Sequence, residues 1–247
     1  MALLATLYAL AVYLFFLGTF LYTIGFVGDL AMLPKTLDSG AGGPIAEAVL
    51  VDLGLLALFA VQHSVMARRG FKRWWTRLVP EPVERATYVL AASAVLALML
   101  WQWRPIAMPV LWSVGDPVAR LTLQVVSGIG WAAVLISSYL IDHFELFGLR
   151  QPWTKLRGQQ AAAAEFRTPL FYRHVRHPIY LGFVLAFWST PTMTAGHALF
   201  AAASTGYILV GIWFEERDLV AQFGQRYLVY RQQVGMLLPR LGRRERR

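Results

Sequence analysis

The sequence predicts an all-α integral membrane protein with about five transmembrane helices, a helical hairpin near the C-terminus and an amphipathic helix after it. Of the 247 residues, 57% are hydrophobic and 15% are charged, whereas a soluble domain has about 25% charged residues. The mean hydropathy is +0.49. The apolar residues also gather in long runs without a formal charge, which is the pattern that membrane spans require.

Charge-free runs mark the membrane segments, because a helix that crosses a bilayer needs roughly 20 apolar residues. The second run reaches that length only if it begins near Ala48 and carries Asp52 close to its end. The first run has no basic segment and is too long for a cleaved signal peptide, so it predicts a retained helix. The runs cover residues 2–28, 53–67, 86–103, 121–141 and 178–214.

The last of these runs is predicted to fold back on itself. Its 37 residues would measure about 55 Å as a single helix at 1.5 Å per residue, which is nearly twice the thickness of the hydrocarbon core. Pro191 and Gly196 lie in the middle of the run and both disfavour a helix interior. The run is therefore a helical hairpin, and the chain has six hydrophobic segments in all.

An amphipathic helix is predicted after Glu216. Apolar residues recur there at helical spacing among charged ones, which is typical of a helix that lies at a membrane surface. Gly224 is a candidate position for a bend. The recurring apolar residues are Leu219, Phe223, Tyr227, Tyr230 and Val234.

The distribution of Lys and Arg predicts the orientation of the chain. Twenty of the 23 lie in residues 68–85, 142–177 and 215–247. By the positive-inside rule, both termini, the two basic loops and the Glu215 end of the hairpin face the cytoplasm. The net charge of +9 also attracts anionic lipid headgroups. Basic residues confined to membrane boundaries argue against a partner nucleic acid. The three Lys and Arg residues outside these segments are Lys35, Arg104 and Arg120.

Ionisable residues stand at both mouths of the hairpin. Arg176 and His177 lie where a loop enters a helix, and Pro178 suits the first helical turn. The backbone N–H groups and positive dipole end there can hold a carboxylate. Across the hairpin, Glu215 and Glu216 can hold an ammonium or a sulfonium group. This predicts a pocket for a small polar ligand; the alternative is an ordinary arginine anchor and a solvated helix end.

Several other chemistries are excluded or disfavoured. The chain has no cysteine, which excludes disulfides, thiolate nucleophiles and Cys-ligated metals. Its five histidines are scattered over the sequence, so no metal site is predicted. The segment 128–133 fits a Gly-x-Gly-x-x-Ala pattern, but it lies within a span and follows no strand. It therefore predicts close helix packing and no dinucleotide loop.

The C-terminal motifs resemble the isoprenylcysteine carboxyl methyltransferase and phospholipid methyltransferase superfamily of membrane enzymes, over roughly residues 171–240. They are His-Val-Arg-His-Pro-Ile-Tyr-Leu-Gly at 174–182, Glu-Glu-Arg-Asp-Leu at 215–219 and Phe-Gly-Gln-Arg-Tyr-Leu-Val-Tyr at 223–230. The resemblance implies S-adenosylmethionine as the cofactor, with Gly182 allowing close approach of backbone or ligand. The implied pocket residues are Arg176, His177, Tyr180, Gly182, Glu215, Glu216, Tyr227, Tyr230 and Arg231.

Upstream segments are similar to a narrower branch, the bacterial methanethiol S-methyltransferases. They are Val-Gln-His-Ser-Val-Met-Ala-Arg at 61–68, Val-Pro-Glu-Pro-Val-Glu-Arg at 79–85 and Asp-His-Phe-Glu-Leu-Phe-Gly-Leu-Arg-Gln at 142–151. This resemblance implies methylation of a small thiol, methanethiol to dimethyl sulfide, at the cytoplasmic face of a bacterial inner membrane. Two alternatives stay open: a methyltransferase for a lipid or prenylated acceptor, and a non-catalytic membrane subunit.

The same resemblance implies one membrane domain over 1–247, with membrane lipid and a small thiol as its partners. Residues 1–141 would form the scaffold and the acceptor side, and residues 142–247 the cofactor-binding core. The low-complexity stretch 158–165 matches no motif and has no predicted role. The sequence leaves the oligomeric state open.

His63, Asp142 and His143 are the candidates for removing the proton of the acceptor. A thiol is a weak nucleophile and its thiolate a strong one, and a neutral histidine or a carboxylate within hydrogen-bond reach can accept the proton. His63 lies about one turn from the basic end of the second span, and the other two end the fourth span. The alternatives are a hydrogen bond between helices for His63 and interfacial capping for Asp142 and His143.

Overall fold

The computed structural model describes residues 1–40, 42–159 and 166–240. Residues 160–165, most of the low-complexity stretch, therefore lie outside the described residues. In chain order the helices are α1 (Ala2–Val27), α2 (Ile45–Met66), α3 (Arg69–Trp75), α4 (Glu81–Gln102), α5 (Pro117–Ile141), α6 (His143–Leu146), α7 (Arg150–Leu156), α8 (Pro178–Trp188), α9 (Ala195–Phe223) and α10 (Gln225–Gln233). Two short strands, β1 (Val110–Ser113) and β2 (Thr192–Thr194), pair antiparallel.

The all-α membrane class is confirmed. Within the described ranges, five helices are long and apolar enough to cross a membrane, namely α1, α2, α4, α5 and α9. They form where the charge-free runs predict spans. α4 and α5 each have a proline in the first helical turn, where the missing N–H breaks no intrahelical bond and the fixed φ favours the helix.

The C-terminal hairpin is present, but its two arms are unequal. α8 has 11 residues and measures about 17 Å, so it is too short to cross a bilayer alone. The chain then turns through β2, and the Thr194 hydroxyl caps α9 by accepting a hydrogen bond of 3.0 Å from the His197 N–H. α9 has 29 residues and provides the long arm.

The predicted amphipathic helix after Glu216 is divided in two. α9 continues for two turns beyond this residue and ends at Phe223, and Gly224 breaks the helix with a φ of +54° before α10 begins. Glycine adopts this left-handed conformation without a steric cost. The two pieces share one apolar cluster, in which Leu219 and Phe223 of α9 pack with Tyr227 and Tyr230 of α10. The bend therefore folds α10 back on the end of α9.

The helices form a closed circuit of neighbours. α1 packs on α4, α4 on α2, α2 on α9, α9 on α8, and α8 on α5. The edge-to-face contact of Phe20 on α1 with Trp131 on α5 closes the circuit. The closest crossing is that of α5 with α8, where a Cβ atom on Gly182 would lie 2.6 Å from the Gly130 carbonyl oxygen. The packing role predicted for segment 128–133 is thereby confirmed.

Replacing Gly182 with alanine is expected to destabilise the protein by about 1–3 kcal/mol, because the added methyl group collides with the α5 backbone and forces the helices apart. Gly18→Ala in α1 is the matched control, since no atom lies within 4 Å of its Cβ position. Denaturation in detergent micelles measures both variants. Equal stability of Gly182→Ala and the parent protein would contradict the tight crossing.

The connecting segments divide the bundle into two ends. At the end with the β1–β2 pair, which we call the sheet end (residues 28–44, 103–116 and 189–194), the Thr194 hydroxyl donates to Asp38 Oδ1 at 2.5 Å. The Trp103 indole N–H donates to the Leu37 carbonyl at 3.2 Å. The opposite end, which we call the basic end, carries α3, α6, α7 and α10. Successive long helices run in opposite directions between these two ends, as the charge pattern predicts.

Candidate active site

At the basic end, two backbone hydrogen bonds hold the residues that precede α8. The N–H groups of Arg176 and His177 donate to the carbonyls of Gly235 and Met236, at 2.8 and 3.2 Å. The segment that follows α10 therefore holds the start of α8 in place. Pro178 begins the helix, so His177 occupies the position just before the first turn, where a helix presents its positive dipole end.

Arg176, His177 and Glu216 form a buried cluster of charged and polar side chains. Arg176 Nε donates to Glu216 Oε1 at 2.7 Å, and His177 Nε2 lies 3.2 Å from the same oxygen. The Arg176 guanidinium also donates to the carbonyls of Arg231 and Val234, at 3.1 and 2.6 Å. The more exposed Arg231 side chain lies 3.5 Å from Glu216 Oε2. The Glu216 charge is therefore already balanced within the protein.

The neighbouring Glu215 is placed differently. Its side chain is 43% exposed, and the nearest ion-pair contact is His177 Nδ1 at 3.7 Å. The Tyr180 hydroxyl on α8 lies close enough to this carboxylate to interact with it electrostatically, and the centroids of the His177 and Tyr180 rings lie 5.6 Å apart. Glu215 thus offers a negative charge that no close arginine or lysine neutralises among the described residues.

Two tyrosines of α10 cover this cluster. The Tyr230 hydroxyl donates to the Tyr172 carbonyl at 2.5 Å, and burial raises the pKa of Tyr230 to about 12. The Tyr227 hydroxyl is buried without a hydrogen-bond partner in the part of the chain that the structure describes. Burial, and then the charge of Glu216, raise the pKa of Tyr227. A buried donor without an acceptor costs free energy, so Tyr227 can supply a hydrogen bond to a ligand.

Gly182 does not lie with these residues. It faces the backbone of α5 at the α5–α8 crossing, so the close approach that it allows is between two helices. The structure therefore brings together eight of the nine residues of the implied pocket and assigns the ninth to the packing that holds α8.

A second polar cluster surrounds His63 on α2. The Tyr88 hydroxyl of α4 lies 3.0 Å from His63 Nε2 and 3.1 Å from Nδ1. The Phe59 ring stacks on the imidazole with centroids 5.3 Å apart, and the Tyr207 ring of α9 approaches edge-on at 6.5 Å. Tyr180 lies close enough to Tyr88 and Tyr207 to interact with them electrostatically. The Tyr180 side chain thus connects the His63 cluster with Glu215.

Asp142 and His143 lie elsewhere. Asp142 Oδ1 accepts a hydrogen bond of 3.0 Å from the Glu145 N–H, and its other oxygen pairs with Arg150. The His143 ring nitrogens lie 2.8 Å from the Tyr13 hydroxyl and 2.8 Å from Ser138 Oγ. Burial lowers the pKa of His143. Asp142 thus caps α6, and His143 joins α1 to α5, without a described contact to the His63 cluster.

Tyr88, Tyr207 and Ser64 were not among the residues that the sequence predicts for a site. Ser64 Oγ lies 3.2 Å from the Tyr207 hydroxyl, beside the His63 cluster. The available signal was the presence of hydrogen-bonding side chains inside charge-free spans, because such groups in a bilayer face other helices and bond with them. Among the described residues, no group of three or more His, Asp or Glu side chains is arranged to hold a metal ion.

Comparison with known proteins finds relatives over nearly the whole chain. A protein of Mycobacterium tuberculosis (strain ATCC 25618 / H37Rv) named methanethiol S-methyltransferase is 56% identical over 237 residues, which cover 96% of this chain and 96% of that protein. Methanethiol S-methyltransferase 1 of Bradyrhizobium diazoefficiens is 56% identical over 235 residues, 95% of this chain and 82% of that protein. A Nurim homolog of Drosophila pseudoobscura pseudoobscura is 32% identical over 187 residues, 74% and 72% of the two chains. No family model matches the chain, and no solved structure matches it significantly.

Proposed function

Since this membrane protein belongs to the methanethiol S-methyltransferase family, we propose that it methylates methanethiol to dimethyl sulfide, with S-adenosylmethionine as the methyl donor. The family and the methyltransferase activity predicted from the sequence motifs are confirmed by the relatives. The observation that carries the proposal is the convergence of Arg176 and His177 at the start of α8 with Glu215 and Glu216 on α9.

The chemistry of these side chains fits S-adenosylmethionine, which has a sulfonium, an ammonium and a carboxylate group. Glu215 offers a negative charge that no close arginine or lysine of the described residues balances, and the dipole end of α8 at His177 favours a carboxylate. The Tyr227 hydroxyl provides a buried donor. When bound, the cofactor supplies an electrophilic methyl group on a positively charged sulfur. Arg176 and Glu216 position the start of α8 against α9, and Tyr230 and Arg231 cover the cluster from α10.

We place the acceptor beside His63. The His63 imidazole adjoins Tyr88 and Tyr207, and Tyr180 connects this cluster with Glu215. A neutral histidine here accepts the thiol proton as the new bond to sulfur forms, and it orients the attacking sulfur while the surrounding rings exclude water. Asp142 and His143 act on the scaffold in this proposal, because their contacts stabilise α6 and the junction of α1 with α5.

The orientation is part of the proposal. We place the basic end, and with it the cluster of Arg176, His177 and Glu216, on the cytoplasmic side of a bacterial inner membrane. The reason is that 20 of the 23 Lys and Arg residues lie in the segments 68–85, 142–177 and 215–247, and basic residues collect on the cytoplasmic side. The cytoplasm is also where S-adenosylmethionine is made. A thiol as small as methanethiol partitions into apolar surroundings and reaches the His63 cluster from the bilayer.

Single cysteines are expected to confirm this orientation, because the chain has no native thiol. Gly42→Cys and Gly115→Cys at the sheet end should react with a membrane-impermeant maleimide in intact cells, and Gly70→Cys at the basic end only after permeabilisation. No atom lies within 4 Å of a Cβ atom at any of the three positions, so the substitutions fit. The reverse labelling pattern would place the cluster of Arg176, His177 and Glu216 outside the cell.

A product assay tests the reaction. Cells that express the chain and receive methanethiol are expected to release dimethyl sulfide, detected by gas chromatography of the headspace, whereas cells with an empty vector release background amounts. Purified protein should require S-adenosylmethionine for the same product. Methylation of a lipid or a prenylated acceptor without formation of dimethyl sulfide would establish the alternative acceptor class.

A further inference from the structure

Glu84 is a buried carboxylate that the proposed reaction has not used. It lies in the first turn of α4 and is 5% exposed. Lys72 on α3 places Nζ 3.0 Å from Glu84 Oε2, and the Lys72 side chain is 52% exposed. Carboxylates within membrane-spanning helices are costly and tend to serve in proton or ion pathways. The ion pair with the half-exposed Lys72 places Glu84 at the boundary between the bundle interior and solvent at the basic end.

Tyr88 lies between this carboxylate and His63. It follows Glu84 by four residues, so the two side chains share a helix face, and a helical side chain leans toward the preceding turn. The Tyr88 hydroxyl, 3.0 Å from His63 Nε2, interacts electrostatically with Glu84. Tyr88 is therefore in contact with His63, and Glu84 lies one helical turn from Tyr88 toward the basic end.

We propose that Tyr88 and Glu84 form the path by which the proton of the thiol leaves the site after His63 has accepted it. The inference rests on the proposed function. Methyl transfer breaks the S–H bond, the electron pair of that sulfur forms the new bond to carbon, and the pair of the broken S–C bond stays with the leaving sulfur. One proton remains on His63. Tyr88 accepts this proton while it donates its own toward Glu84, and Glu84 releases a proton to water beside Lys72.

The charges around the path favour transfer outward. The Arg85 guanidinium lies 5.0 Å from the centre of the Tyr88 ring, so it repels a positive charge that stays on the adjacent His63. Lys72 faces Glu84 from α3, and the uncharged Tyr207 faces His63 from α9. The site must lose the proton before the next turnover, because a protonated imidazole accepts no second one.

Glu84→Gln tests the path, because the amide keeps the size of the side chain and cannot carry the proton. We expect turnover of methanethiol to fall by at least about tenfold, with the loss restored by added imidazole, a small buffer that can carry protons to and from the site. The affinity for S-adenosylhomocysteine and the melting temperature should stay unchanged. Glu81→Gln, an exposed residue of the same helical turn, is the matched control and should behave like the parent. Unchanged turnover in Glu84→Gln, or a loss that imidazole does not restore, would overturn the proposal.

A second measurement uses the protein without cofactor or thiol. Nitrogen NMR of protein with labelled histidine follows the His63 imidazole, whose signal is identified by its loss in His63→Gln. Tyr88→Phe should change the tautomer populations of this imidazole, and Glu84→Gln should shift its titration, since the three groups are coupled. A His63 signal insensitive to both variants would overturn the path even if the parent protein makes dimethyl sulfide. If the parent makes none, the proposed function fails, and the NMR result still decides whether the three groups are coupled.

Discussion

His63→Ala is expected to lower the turnover of methanethiol by about 10²–10⁴-fold, the range for loss of a general base. The reason is that the proposed base, the His63 imidazole, is connected to Glu215 through Tyr88, Tyr207 and Tyr180. The affinity for S-adenosylhomocysteine should stay nearly unchanged, because Glu215 and His177 are not altered. Single-turnover kinetics with headspace detection of dimethyl sulfide, together with calorimetry, measures both quantities.

His143→Ala is the informative comparison. His143 is buried and contacts Tyr13 and Ser138, so its removal should lower stability and leave the rate of the remaining folded enzyme within a few-fold of the parent. If instead His143→Ala abolished turnover in a folded protein while His63→Ala kept full activity, the assignment of the base would be reversed.

The second large effect concerns the two adjacent glutamates. Glu216→Ala should destabilise the protein by about 3–5 kcal/mol, because it leaves the Arg176 guanidinium buried without its carboxylate. Glu215→Gln should leave stability unchanged, since the side chain is 43% exposed. It should weaken the binding of S-adenosylmethionine by tenfold or more, or about 1.4 kcal/mol.

Comparing two ligands, one with and one without a sulfonium charge, provides the control for this prediction. S-adenosylhomocysteine lacks the sulfonium, so Glu215→Gln should weaken its binding less than that of S-adenosylmethionine. Calorimetry with both ligands and denaturation of both variants provide the four measurements. Equal stability losses in the two variants would contradict the division of roles, and unchanged affinity in Glu215→Gln would remove this carboxylate from the cofactor site.

The cluster of Arg176, His177 and Glu216 was predicted in part by the sequence. The motifs at 174–182 and 215–219 indicate a pocket at the mouths of the hairpin, and the structure does bring Arg176, His177 and Glu216 within hydrogen-bond distance. The sequence shows the two glutamates as equivalent neighbours. Only the packing distinguishes them. Successive residues of an α-helix point about 100° apart, so Glu216 points to the inside of the bundle and Glu215 to the mouth of the hairpin.

The acceptor side was predictable only as a set of candidates. His63, Asp142 and His143 all lie near the basic ends of predicted spans, and sequence position alone does not say which spans are neighbours. The structure places α2 against α4 and α9, and α5 against α8, which separates His63 from the other two. The partners Tyr88 and Glu84 follow from the same neighbour relation, since α4 packs on α2.

By itself, the sequence determined the membrane class, the hairpin, the alternation of basic and non-basic ends and the position of the charged motifs. These features depend on hydropathy, charge and turn residues, which are properties of short segments and are readable along the chain. The tertiary structure alone decided that Gly182 packs on Gly130, that Gly224 folds α10 onto α9 and that His63 adjoins Tyr88 and Tyr207. Such contacts join helices far apart in sequence, and they depend on which helix faces meet, a property that no single segment carries.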